Sequence, residues 1–220
     1  KGLAGREGVT LFMTLVAGFK ALLHYYTGVE DLVVGTDVAN RNRAETEGLI
    51  GFFVNQLVLR TDLSGRPSFR ELLGRVRETT LGAYAHQDLP FEKLVEELNP
   101  ERSLSHTPLF QVMFGLQNMN KGALELPGLT LSPFGVESKT SRVELGLNLL
   151  ETEHTLAGNL QYNTDLFDAE TVRRLLRHYE QLLRAVVLDP ARPVSELPLM
   201  DAEEERRVLV EWNETARDYS

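Results

Sequence analysis

The spacing of apolar residues changes several times along this chain, and these changes limit the folds that it can adopt. Four segments carry apolar side chains at helical spacing: 9–27, 68–85, 90–98 and 169–188. Five segments are rich in β-forming residues or alternate between apolar and polar ones: 31–36, 50–60, 109–116, 142–150 and 155–163. A weaker strand is predicted near 129–137. Because the two patterns intermingle without strict alternation, we predict an α/β fold with a mixed, largely antiparallel sheet flanked by helices.

Local signals place the ends of several predicted helices. Ser68 and Glu71 have the spacing of a capping box at the start of the second helix. Pro90 suits the first position of the third helix, because its fixed φ matches the helix and its missing N–H is not needed there. Asp168 is a suitable N-cap for the last long helix.

Composition excludes several classes of protein. The 220 residues contain no cysteine, which rules out disulfide scaffolds, thiolate metal sites and cysteine nucleophiles. The net charge of −9 argues against binding to nucleic acid. No apolar run approaches the roughly 20 residues that a membrane span requires, and the first residues lack the apolar core of a signal peptide. We therefore predict a cytoplasmic protein that binds neither nucleic acid nor a membrane.

The five histidines do not form a recognisable metal-binding or hydrolase motif. His24 and His178 fall within predicted helices, where we expect ordinary, partly exposed side chains. The sequence also lacks the glycine-rich loops that cradle nucleotide phosphates. The residues alone therefore indicate neither metal chemistry nor nucleotide binding.

Three segments are more unusual than a plain α/β domain requires: 50–56, 86–92 and 102–110. In the first, Gly51 would permit close approach of a ligand, and Asn55 would need hydrogen-bond partners if it were buried. A bulge with a structural asparagine is the alternative for this segment. For the other two, capping and turn formation are sufficient explanations when each is considered alone.

Together, the order and spacing of these segments closely resemble three core motifs of nonribosomal peptide synthetase condensation domains. The matching stretches are GFFVN at 51–55, HQDLPFE at 86–92 and RSLSHTPL at 102–109. The segments TDVANRNR at 36–43 and YNTDLFD at 162–168 are also similar to that family. The resemblance extends over about residues 8–200, and residues 201–220 look like a linker toward an adenylation domain.

The resemblance implies one lobe of a fold like that of chloramphenicol acetyltransferase. In the family, two lobes enclose a tunnel in which an amine attacks a thioester, and both substrates arrive on the 4'-phosphopantetheine arms of carrier proteins. The family's signature contains a His-His pair at the end of the first lobe, and this sequence has no such pair. We therefore expect a C-terminal lobe, residues 1–200, that is inactive without its N-terminal partner and binds no cofactor directly.

The resemblance also suggests roles for particular residues. No catalytic residue and no metal ligand is expected in this chain. Gly51 and Asn55 are predicted to line the tunnel, with Asn55 near the reaction centre. Arg41 or Arg43 is expected to pair with an acidic group of the other lobe. The remaining motif residues, which we expect to maintain loop geometry, are His86, Gln87, Asp88 and Arg102.

Two alternative functions remain open at this stage. The first is a catalytically dead binding module of the same fold that recruits a tailoring enzyme to a carrier-bound peptide. The second is a lobe of an epimerisation domain, against which the adenylation-like end of the sequence argues. The expected partners of the leading hypothesis are the N-terminal lobe, the donor and acceptor carrier proteins and an adjacent adenylation domain.

Overall fold

A computed structural model describes residues 1–41, 43–100, 107–118, 128–129, 140–152 and 155–215. The α-helices are α1 (Gly2–Arg6), α2 (Leu11–Thr27), α3 (Ala44–Glu47), α4 (Phe69–Ala85), α5 (Phe91–Leu98), α6 (Ala169–Leu188) and α7 (Ala202–Leu209). The strands are β1 (Asp31–Val38), β2 (Asn55–Asp62), β3 (Val112–Asn118), β4 (Leu145–Glu151) and β5 (Leu156–Tyr162). Short 3-10 helices cover Val194–Glu196 and Glu211–Asn213.

The chain divides into two compact units. Unit 1 comprises residues 1–32, 61–80 and 169–220, and is mainly helical. Unit 2 comprises residues 33–60 and 81–168, and contains most of the sheet.

Helices α2 and α6 pack together in unit 1, and small and aromatic residues set their contact. A Cβ placed on Gly18 would lie only 2.8 Å from the side chain of Leu183, so glycine allows the close approach. The hydroxyl of Tyr179 donates to the carbonyl of Leu15 at 2.8 Å, and the ring of Tyr179 meets Phe19 edge to face. The apolar face predicted for α6 is therefore part of the core of unit 1.

The predicted helix signals are largely confirmed. Glu71 accepts from the backbone N–H of Ser68 at 2.7 Å, and the Ser68 hydroxyl accepts from the N–H of Glu71 at 3.2 Å, as in a capping box. Helix α2 ends at Gly28, whose φ of 69° is the left-handed conformation that glycine adopts freely. Pro90 differs slightly from the prediction, because it is the N-cap and α5 begins at Phe91.

A lysine lies in the interior of unit 1. Lys20 on α2 has no exposed surface, and its ammonium donates to the hydroxyl of Thr61 at 2.7 Å. Burial lowers the pKa of Lys20 to about 7, although the nearby carboxylate of Asp31 acts in the opposite direction. The positive charge is therefore disfavoured at this position.

The sheet of unit 2 has the order β2-β1-β3-β4-β5. It is mixed, as predicted, and the β4–β5 hairpin is antiparallel. Parallel pairing is more frequent than expected, however, because β1–β3 and β3–β4 are both parallel. These parallel pairs require crossover connections, which the strand patterns alone did not indicate. The weak strand expected near 129–137 falls almost entirely outside the described residues.

Glycine also sets a close approach inside the sheet. Gly35 on β1 lies against the ring of Phe110, and an added Cβ would come within 2.5–2.7 Å of three ring carbons. Phe110 itself is only 1% exposed. This contact fixes the segment that precedes β3 on the surface of β1.

Candidate functional site

Unit 2 contains a cleft of about 790 Å³, and residues of the predicted motifs form much of its wall. The lining residues come from the end of β1, the start of β2, the start of α5 and the segments before β3 and β4. They are Asp37, Asn40, 52–56, Asp88, 90–92, Thr107, Phe110, Met113, Arg142 and Val143. The first two motif segments therefore meet at one site, which the sequence alone did not predict.

Asn55 is the residue that joins these two segments. It opens β2 and is 9% exposed. Its amide nitrogen donates to the carbonyls of Gln87 and Leu89 at 2.8 Å each, and its amide oxygen accepts from the N–H of Phe91 at 3.1 Å. Three of the four hydrogen-bonding positions of the side chain are therefore used on one backbone turn.

These bonds give Asn55 the role of a helix cap supplied from a distant strand. The first N–H groups of a helix have no intrahelical partner, and Pro90 at the N-cap has no side-chain oxygen to offer. Asn55 satisfies the first of them, that of Phe91. Asn55 thus lies in the cleft wall and also has a structural role, which was the alternative prediction for this residue. Its place near a reaction centre stays a prediction.

The turn that Asn55 fixes carries the aromatic part of the wall. Phe91 stacks at a tilt on Phe110, with ring centroids 5.5 Å apart. Both rings line the cleft. Loss of the Asn55 hydrogen bonds would therefore release Phe91 as well as the turn that precedes it.

Arg41 organises the loop between β1 and β2. Its guanidinium donates to four carbonyl oxygens along this loop and lies over the ring of Phe53, with 4.2 Å from Cζ to the ring centroid. The four acceptors are the carbonyls of Thr46, Glu47 (3.4 Å), Leu49 (2.9 Å) and Gly51 (3.3 Å). The structure gives Arg41 partners within its own unit, and a partner on another lobe stays a prediction.

The same contacts explain an error in the predicted strand. Residues 50–60 were expected to be extended and paired, but β2 begins only at Asn55. The carbonyls of Leu49 and Gly51 accept from Arg41, so they are engaged outside the sheet. Gly51 therefore belongs to the loop rather than to a strand, it is exposed, and its predicted place beside a ligand stays a prediction.

Apolar side chains of this loop extend into solvent. We call residues 49–54 the apolar loop. Ile50 is fully exposed and Phe52 is 88% exposed, and Leu49 and Val54 are also exposed. Contiguous exposed apolar surface commonly marks an interaction site.

The other predicted residues lie at or near the cleft. Asp88 lines it, and Gln87 contributes the carbonyl that accepts from Asn55. His86 is exposed, and its carbonyl accepts from the N–H of Leu89 at 3.1 Å. Arg43 is the N-cap residue of α3. Arg102 lies outside the described residues.

The described wall of the cleft can bind and orient a ligand, but it includes no histidine. Its charged groups are three carboxylates and one guanidinium, those of Asp37, Asp88, Glu92 and Arg142. Among the described residues, no group of three or more His, Asp or Glu side chains could hold a metal ion. Nor does any helix in the described ranges have the length and apolar character of a membrane span.

Comparisons with known proteins agree on one family. The family model described as "Condensation domain" matches residues 1–209, and the chain belongs to this family. A linear gramicidin synthase from Brevibacillus parabrevis is 54% identical over 220 residues, which are 99% of this chain and 4% of that protein. A chondramide synthase of Chondromyces crocatus is 48% identical over 214 residues, which are 97% of this chain and 6% of that protein. The chain thus spans only a small part of these relatives.

Solved structures are similar as well. Holo-AB3403, a four-domain nonribosomal peptide synthetase bound to AMP and glycine, superposes with a TM-score of 0.85 at 27% identity, and the match covers 93% of this chain and 17% of that one. The X-domain in its complex with OxyB from teicoplanin biosynthesis gives a TM-score of 0.81 at 32% identity, and the match covers 91% of this chain and 45% of that one. The predicted fold class is confirmed.

Proposed function

Because this chain belongs to the condensation domain family, we propose that it forms part of the cleft in which a nonribosomal peptide synthetase makes peptide bonds. One observation carries the proposal further than the family match. Two family-like motif segments, distant in sequence, meet through Asn55 in the wall of a single cleft. The proposed substrates are an acyl thioester donor and an aminoacyl thioester acceptor, each on the 4'-phosphopantetheine arm of a carrier protein in the cytoplasm.

In the proposed reaction, the acceptor's amine nitrogen attacks the thioester carbonyl carbon of the donor. The C–N bond forms, the tetrahedral intermediate collapses, the C–S bond breaks, and the donor's pantetheine thiol leaves with a proton. The described wall has no imidazole to move that proton. We assign proton handling to an N-terminal lobe that carries the family's His-His motif, and positioning and exclusion of water to the aromatic wall described here.

The apolar loop is the proposed contact with that N-terminal lobe. Ile50 and Phe52 are too exposed to stabilise unit 2 on their own. Ile50 precedes the motif at 51–55 and Phe52 belongs to it, so burying them against a second lobe would also close one side of the cleft. Residues 201–220 are the proposed linker toward an adenylation domain.

A second candidate is a binding module without catalytic activity. The observation that favours it is the 32% identity to an X-domain solved in complex with OxyB. Such a module would use the same fold to hold a partner protein instead of condensing two thioesters. A domain that includes the histidine-bearing lobe but forms no dipeptidyl thioester from loaded carriers would support this candidate over the first.

The proposed function is tested in the complete condensation domain with two loaded carriers, by measuring formation of the dipeptidyl thioester. We expect Asn55→Ala to slow condensation about 10- to 100-fold, because the wall that carries Phe91 loses its anchor and misplacement of a reacting group is costly. Circular dichroism checks that the variant is folded. Asn55→Asp retains an acceptor for the Phe91 N–H but sets a carboxylate oxygen against the Gln87 and Leu89 carbonyls, so it should not recover the rate.

The matched control is Gln56→Ala. Gln56 follows Asn55 and also lines the cleft, but its amide donates to the exposed Asp37 side chain at 3.1 Å instead of to the turn. We expect a much smaller effect on the rate. A folded Asn55→Ala domain that condenses at the wild-type rate would show that this cleft wall is not where the substrates react.

A further inference from the structure

The structure overturns the prediction that His178 on α6 is partly exposed. We expected an ordinary, partly exposed helix residue, but His178 is 7% exposed. Both ring nitrogens are engaged, with Nδ1 2.8 Å from the hydroxyl of Tyr26 and Nε2 2.9 Å from a carboxylate oxygen of Glu204. A buried imidazole with two partners joins three helices, α2, α6 and α7.

Chemistry fixes the direction of the hydrogen bond between His178 and Glu204. The carboxylate of Glu204 can only accept, so Nε2 of His178 donates. The Tyr26 hydroxyl, which can both donate and accept, pairs with Nδ1 of the same ring. Tyr26, His178 and Glu204 thus form a continuous series of hydrogen bonds, an arrangement in which each bond strengthens the next.

Apolar burial contributes little to the docking of α7. Of its eight residues, six are exposed and only Glu204 and Val208 are half-buried. A cleft of about 230 Å³ with predominantly polar and charged lining lies beside the Glu204–His178 contact. It is lined by Arg177, His178, Glu180, Gln181, Arg184, Leu199, Asp201 and Glu204. The junction of α6 and α7 is therefore held by polar contacts around His178 more than by a hydrophobic core.

We propose that the series Tyr26–His178–Glu204 is a latch that fixes α7 on unit 1 and sets the direction in which the chain leaves it. Breaking the latch at Glu204 releases α7 and the 3-10 helix that follows, while α2 and α6 keep their own packing through Tyr179 and Leu15. This inference is independent of the proposed catalytic function, since it concerns only contacts within unit 1.

The test is amide hydrogen exchange of α7 in the whole chain, compared between wild type and Glu204→Ala. We expect exchange of the α7 amides to accelerate about 10- to 100-fold, the effect of losing one hydrogen bond to a charged group. Amides of α6 should be unchanged. Trp212 follows α7 and is the only tryptophan in the sequence, so a fall in its fluorescence anisotropy gives an independent measure of release.

Three further variants separate the latch from a general effect of charge. Glu205→Ala removes a neighbouring exposed carboxylate on α7 and should leave exchange close to wild type. Glu204→Gln retains an oxygen that accepts from His178 and should restore most of the protection. Tyr26→Phe keeps the ring that lies against His178 but removes the Tyr26 hydroxyl. Because the imidazole then loses one of its two partners, exchange of the α7 amides should accelerate. If Glu204→Ala equals Glu205→Ala, or if Tyr26→Phe equals wild type, the latch is refuted.

Discussion

Raising the pH from about 7.5 to about 9.5 should stabilise the folded chain through Lys20. The unfolded chain holds this proton up to the ordinary lysine pKa of 10.5, whereas burial lowers the pKa of Lys20 in the fold to about 7. Between these values the unfolded state binds more protons, so the free energy of unfolding rises with pH. Below about pH 7 both states are protonated, and this contribution no longer changes.

The size of the effect follows from the same two values. One pKa unit corresponds to about 1.36 kcal/mol, so Lys20 alone should add about 2.5 kcal/mol over those two pH units. Lys20→Met removes the titration while filling similar space with a flexible apolar side chain. The Thr61 hydroxyl loses a donor in this variant, but that cost is the same at both pH values.

Urea unfolding followed by circular dichroism measures the difference. The increase in unfolding free energy between the two pH values should be about 2.5 kcal/mol smaller in Lys20→Met than in wild type. Lys93→Met is the matched control, because Lys93 is half-exposed and pairs with Glu96 on the surface of α5; it should retain the wild-type increase. If wild type and Lys20→Met gain equally with pH, Lys20 is not neutral in the fold and the reasoning is wrong.

Two further substitutions test the packing and capping described above. Gly35→Ala should destabilise the fold by about 1–3 kcal/mol in urea unfolding, because the added methyl overlaps the Phe110 ring. Gly74→Ala in α4 has open space and should instead stabilise by up to about 1 kcal/mol, so equal effects of the two would contradict the packing argument. Ser68→Ala should cost about 1 kcal/mol by removing one half of the capping box with Glu71, and an unchanged urea midpoint would show that the cap contributes nothing.

Features that depend on neighbouring residues could be predicted from the sequence. The bounds of α6 match its apolar stripe, and the Ser68–Glu71 cap was recognisable because both residues lie within one helical turn. The β4–β5 hairpin was also predictable, since two alternating segments flank a short connection. In each case the signal and the structure that it specifies lie close together in the chain.

Features that depend on distant contacts could not be predicted in the same way. The start of β2 was misplaced because the guanidinium of Arg41, ten residues before Gly51, engages the Gly51 carbonyl, which the strand pattern assigned to the sheet. His178 was misjudged because Glu204, 26 residues away, covers it. The position of Asn55 at the cleft followed from the family resemblance, but its capping of α5 required knowledge of a contact across 36 residues.

The link between Asn55 and α5 bears on how synthetases of this kind are recombined. A chimera whose crossover falls between residues 55 and 87 would take the amide from one parent and the carbonyls at 87 and 89 from the other. If the turn lies at a different distance from β2 in the two parents, the Asn55 amide cannot reach the carbonyls at 87 and 89. Helix α5 then begins without its cap. Exchange boundaries upstream of 55 or downstream of 98 would keep the strand, the turn and the helix together from one parent.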